Sequence, residues 1–467
     1  MRKLGYVAAA AILLAACTSA RPAAPSAKPF MPASLTPEGV NAADEFLWLE
    51  DVWGERAIAW VKQQNEKTEA AFKADPRYEA FRTEALAILT AQDRTPTPSF
   101  RAGGIDNFWQ DAANVRGLWR HTTLESYRSG APAWETVLDI DALSKAENAN
   151  WIFKGSDCVG PAETRCLVSL SDGGKDAVVV REFDTTTKSF VPGGFNIPEG
   201  KHRIDWLDAD TLLVATDFGP DTLTESGYPF IVKTLKRGQT MAQATEVFRG
   251  SASDGGYGVS PTVYRDGAGE VLGIIITRPL DTFRSETWEL IDDKATKLSL
   301  PERVSVRGAL SPWALGDSRL VVSIEQPWRL HGKEYPSGSL LAIPRDTLRL
   351  GDTLTLNVGD VAIFEPTARS SIGDVRVFDG QVVAEVYDNV RGSILTFTDD
   401  FGTDATPTDG WAQANLPVPE NAAVHLGSSS RSKQQLFYTY EGFLTPSTLA
   451  LADVPAAKAD VIRAAPA

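Results

Sequence analysis

Cysteine and histidine are scarce in this chain, with 3 Cys and 4 His among 467 residues. A zinc centre needs four ligands, and no histidine lies near Cys158 or Cys166 in sequence, so no metal and no cofactor is expected. Positive charge is also in deficit. Against 61 Asp and Glu there are 46 Lys and Arg, and a net charge of −15 argues against a nucleic-acid partner. The one long apolar run, residues 4–16, is too short to cross a bilayer. No Gly-x-Ser-x-Gly occurs, so the tight turn that presents a hydrolase nucleophile is not recognisable. The nearest serine-rich stretch, Gly427-Ser428-Ser429-Ser430-Arg431, lacks the second glycine and reads as a polar turn. Gly103-Gly104, Gly173-Gly174, Gly193-Gly194 and Gly255-Gly256 lack the phosphate-loop pattern and also read as turns. His121, His202, His331 and His425 each stand alone in a different part of the chain, and no catalytic residue is assigned.

What is present is ordinary for a buried globular body: 43% hydrophobic and 23% charged residues. Arg2 and Lys3 precede the apolar run, and Leu14-Ala15-Ala16-Cys17 resembles a bacterial lipobox. Residues 1–17 are therefore expected to be a lipoprotein-type signal peptide, with Cys17 the lipid attachment point, exporting the protein to the cell envelope, facing the periplasm. Residues 18–43 are rich in Pro, Ala and Ser, cannot bury a core, and read as a tether. In an oxidising compartment Cys158 and Cys166 are read as a disulfide closing a small loop, the alternative being two buried thiols.

Residues 44–100 carry helical signals. An apolar stripe begins at Phe46, Leu47, Trp48 and Trp53 and continues towards Thr68; Asp75 and Pro76 then open a second helix bearing Tyr78, Phe81, Ala85 and Leu89. Beyond residue 101 the texture changes to short β-rich runs between Gly, Asp and Asn turns, among them Cys166 to Leu170, Val178 to Phe183, Leu212 to Thr216 and Val382 to Tyr387. Groups of runs open near Trp151, Ile204, Pro261, Ala309, Val375 and Val424, a period of about 50 residues. Some 350 residues at that period make about seven units, the pattern of a β-propeller. The expected fold is all-β: a seven-bladed propeller over 101–455 behind the helical segment.

Trp48-Leu49-Glu50-Asp51 with Ala59-Trp60-Val61, then Ser169-Leu170-Ser171-Asp172-Gly173-Gly174-Lys175-Asp176 and Thr216-Asp217-Phe218-Gly219, resemble in order and spacing the N-terminal part of prolyl oligopeptidases. Phe437 to Thr439 and Gly442 to Thr448 resemble the closing strands of that family's propeller, and residues 456–467 its connector to a catalytic domain. The resemblance implies a propeller that gates access of short proline-containing peptides to a serine-peptidase site. That site would lie on an α/β-hydrolase domain absent from this chain or supplied in trans, with the N-terminal helical segment (Phe46, Leu47, Trp48, Trp53) as its docking surface. The alternative is a free-standing, membrane-anchored propeller that acts as a binding or scaffold module.

Overall fold

The computed structural model describes residues 44–51, 54–311, 318–330, 332–350, 361–399 and 410–465. Cys17, Trp53 and His331 lie outside them. The chain divides into two units, 1–85 and 86–467.

In the first unit a short 3-10 turn, Leu47–Glu50, precedes a long helix, Glu55–Lys73. Trp48 meets Trp60 edge-to-face at 6.1 Å, and the Arg56 guanidinium sits 3.9 Å from the Trp48 ring centre. The second helix, Tyr78–Leu89, begins after Asp75, whose carboxylate accepts the Arg77 N–H at 2.9 Å. Phe46, Leu47, Val61, Phe72 and Phe81 remain exposed.

The second unit is a ring of seven antiparallel sheets. Blade 1 spans 99–139, blade 2 151–200, blade 3 203–249, blade 4 260–297, blade 5 304–364, blade 6 370–415 and blade 7 423–464. Blade 2 has a fifth strand, Asn196–Gly200, paired with Val178–Asp184, and blade 5 carries an inserted hairpin. Each described strand belongs to one of these sheets or that hairpin, and each pairing is antiparallel, so no α/β-hydrolase sheet occurs among the described residues.

Seven apolar clusters hold the ring, one at each seam between consecutive blades. The middle strands bury both faces because neighbours cover them on both sides: Thr211–Ala215 and Arg319–Ile324 are buried at every position. The seam between blades 7 and 1 closes without a shared strand. There Phe437 packs on Phe100 at 4.8 Å and on Tyr127 at 5.8 Å, and the Phe100 N–H donates to Ser428 Oγ.

Two boundaries need correction. The propeller begins at Ser99, and the segment expected to be a connector from residue 456 instead supplies Lys458–Ala464, the fourth strand of blade 7, paired with Thr445–Asp453. The serine stretch at 427–431 is likewise no inter-blade turn. It ends the first strand of blade 7, Ala423–Ser430, whose polar sequence reflects a position at the centre of the ring.

Candidate functional site

In an antiparallel four-stranded blade the first and third turns lie on one face of the ring, and the second turns and blade-to-blade connections on the other. The first strands run side by side around the axis. In six blades the pairing of first and second strands carries a register shift, as at Gly155 (φ 129°) in blade 2, a conformation suited to glycine.

Side chains on these strands tie neighbouring blades through backbone groups. Arg265 donates to the Trp206 and Leu207 carbonyls at 3.0 and 2.7 Å, and Asp205 accepts the Val263 N–H at 2.8 Å. Tyr264 donates to the Val306 carbonyl, and burial pushes its hydroxyl up to about 12.

On the first-turn face the axis is crossed. Asp379, in the first turn of blade 6, accepts from Arg431 Nε of blade 7 at 2.6 Å and from the Gly267 N–H of blade 4 at 2.9 Å. Arg431 also donates to the carbonyls of Arg265 and Ala309 at 2.7 and 2.9 Å. A Cβ on Gly267 would fall 2.6 Å from Asp379 Oδ2 and 3.1 Å from the Arg431 carbonyl, so the close approach requires glycine. The blade 4 turn thus bridges to blades 6 and 7, and Gly269 faces Pro161 of blade 2. Cys158 and Cys166 pair in register at the base of the first turn of blade 2, which carries Pro161, and are disulfide-bonded.

The opposite face is apolar at its turn tips. Val115, Phe283, Val390, Phe443 and Leu444 sit in second turns and Tyr257 in a blade connection; all are exposed. Two adjoining cavities, of about 410 and 260 Å³, open between blades 2 and 3 and share Ser169, Val178, His202 and Arg203. His202 donates Nε2–H to the Val178 carbonyl at 2.8 Å and accepts from Thr216 Oγ1 at Nδ1, 2.7 Å. Burial lowers its pKa, so it stays neutral. Asp157 lines the inner cavity. Water reaches it, but the enclosing walls and the Asp205 carboxylate across the seam push its carboxyl up to about 6. Burial raises Asp205 as well.

The histidines are not brought together. His121 Nδ1 lies 2.6 Å from Asp106, whose buried carboxylate also holds Arg101 and Trp119. His425 is exposed in blade 7. Among the described residues no histidine joins a serine hydroxyl to a carboxylate: His121 has the carboxylate, and His202 has a threonine hydroxyl and a backbone carbonyl. No grouping of His, Cys, Asp and Glu there could hold a metal ion. The inner Asp157–Asp205 pair escaped sequence reasoning, since nothing in sequence marks two aspartates 48 residues apart as neighbours (205 − 157 = 48).

The family model described as "Prolyl oligopeptidase, N-terminal beta-propeller domain" matches residues 32–465. The chain belongs to the prolyl oligopeptidase family. It is 38% identical over 433 residues to an uncharacterised peptidase, y4nA, of Sinorhizobium fredii, covering 91% of this chain and 57% of the relative. With an uncharacterised peptidase of Rickettsia prowazekii, RP174, it shares 28% identity, covering 87% of this chain and 56% of that one. A post-proline cleaving enzyme from Rickettsia typhi has a similar structure, with TM-score 0.78, 26% identity, and coverage of 89% and 60% of the two chains. Oligopeptidase B from Leishmania major shares the fold at TM-score 0.66 and 12% identity, over 90% of this chain and 55% of that one. The prolyl oligopeptidase-family propeller thus spans a little over half the length of the curated relatives it matches, at 57% and 56%.

Proposed function

We propose that this propeller gates a serine-peptidase site carried on an α/β-hydrolase domain, admitting short proline-containing peptides and excluding folded proteins. The observation that carries this reading is the asymmetry of the ring. One end of the axis is spanned by the Gly267 turn bound to Asp379, while the other face presents cavities and exposed apolar tips such as Phe443 and Phe283. Among the described residues, the exposed apolar turn tips on that face favour a covering partner. The helical segment bearing Phe46, Leu47 and Trp48 is a second surface of this kind, and the same partner is proposed to cover it. The nucleophile, base and carboxylate would then come from that partner.

The test is co-expression with a hydrolase domain from a prolyl oligopeptidase relative. Co-purification is expected, with cleavage after proline in octapeptides and none in a folded protein of the same cleavage sequence. If the two polypeptides neither associate nor cleave, the reading fails. Export with a lipid on Cys17 is proposed alongside. Mass spectrometry of the mature N-terminus should find an acylated cysteine, and an unprocessed Met1 would refute it.

A further inference from the structure

The outer cavity between blades 2 and 3 is lined by Lys154, Lys201, Arg203 and Tyr228, with Asp176 as its one carboxylate. In a chain of net charge −15, three cations around one cleft are unusual company. Each is oriented by a backbone carbonyl and by no acid: Lys154 Nζ lies 3.5 Å from the Gly174 carbonyl, Lys201 Nζ 3.3 Å from that of Ser226, and Arg203 Nη1 3.0 Å from that of His202. Acids are at hand nearby, since the adjacent Lys175 takes Glu199 at 2.8 Å. Lys201 Nζ also rests 3.9 Å from the Tyr228 ring centre, which holds the ammonium at the cleft without neutralising it. His202 is neutral and satisfied on both ring nitrogens, so it neither adds to nor cancels this charge.

We propose that the Lys154–Lys201–Arg203 cleft binds the carboxylate of a short peptide. A guanidinium and two ammonium groups offer the donors a carboxylate accepts, and Tyr228 offers a ring against the adjoining residue. The volume of about 410 Å³ lies in the range of small-ligand sites. The peptide as ligand rests on the gating reading, because the cleft opens on the face proposed to receive substrate; the site itself stands on this chain alone.

The full chain is titrated calorimetrically at low salt with a free-acid tetrapeptide, with its C-terminal amide, and with an amide containing an internal Glu. The free acid is expected to bind and the neutral amide to bind about tenfold more weakly or not at all. Binding should weaken as salt is raised. A Glu-containing amide that matches the acid assigns the site to acidic side chains, and one that does not assigns it to chain ends; both agree with a carboxylate site. Lys201→Met and Arg203→Met should each cost about tenfold. Melting curves check folding, and the exposed Lys154→Gln carries the test if Arg203→Met unfolds. Equal affinity for acid and neutral amide, or binding indifferent to all three substitutions in folded protein, overturns the proposal. The cleavage assay above reads a separate polypeptide's activity, so either result can fail without the other.

Discussion

Arg431 and Asp379 meet at 2.6 Å on the axis of the ring, joining blades 7 and 6, and the second oxygen of Asp379 holds the blade 4 turn through Gly267. Asp379→Ala removes both acceptors at once. It is expected to lower stability by about 1–3 kcal/mol, read as a fall in calorimetric melting temperature. Gly267→Val should do at least as much, since its side chain has no room beside Asp379 and Arg431. Unchanged melting in both would mean that the turn is not held there.

Glu182 is a second inter-blade clamp. Fully buried in blade 2, it takes Arg237 of blade 3 at 2.7 Å, Arg165 at 3.2 Å and the Phe195 N–H at 2.9 Å. Burial pushes its carboxyl up, but Arg237 and these other donors outweigh that and hold it below the usual range. A depressed carboxylate contributes stability above its unfolded pKa of about 4.5, lost as pH falls through the folded value. Glu182→Gln should therefore flatten the acid limb of a stability–pH curve. It should also cost about 1–3 kcal/mol at neutral pH, because Arg237 and Arg165 lose the buried carboxylate and keep only Asp210 and Asp184. Urea titrations from pH 3 to 7 on both proteins make the comparison.

Asp157 works in the opposite sense. Its carboxyl is raised from 3.8 to about 6, so its protonated form is favoured in the folded protein. The associated stability is complete below about pH 4 and disappears as pH rises through about 6. Asp157→Asn keeps the neutral form at every pH. The variant should match the parent near pH 4 and exceed it at pH 7, most visibly in low salt. A variant less stable than the parent at pH 7 would show that the carboxylate is favourably placed after all.

Ring closure rests on packing between blades 7 and 1. Phe437 is 1% exposed and lies between Phe100 and Tyr127. Phe437→Ala is expected to cost about 3–5 kcal/mol. Hydrogen exchange should quicken first in Ser99–Arg101 and Ala423–Ser430, the first strands that flank this seam. Uniform acceleration around the ring would instead indicate that the seam is no weaker than its neighbours.

The β-rich runs legible in sequence are mostly the middle strands of the blades. Cys166 to Leu170, Leu212 to Thr216 and Val382 to Tyr387 are second strands, and Val178 to Phe183 is a third. They sit between neighbouring sheets, so both faces demand apolar residues and the signal is continuous. First strands escape this rule because one side faces the centre of the ring; hence Ser428-Ser429-Ser430 reads as a turn in sequence, and nothing there singles out Asp157. The last strand of blade 7 escaped for the same reason at the rim, where Lys458, Asp460 and Val461 are exposed.

By itself the sequence determined the class of fold, the number of repeats and the family, since these depend on local periodicity and on motif order. Only the tertiary structure decided which residues face each other across a seam or over the axis. Lys154, Lys201 and Arg203 line one cleft because blades 2 and 3 pack together, and Gly267 meets Asp379 and Arg431 because the ring curves blades 4, 6 and 7 round one axis. Such distances leave no trace in any local pattern of hydrophobicity or charge.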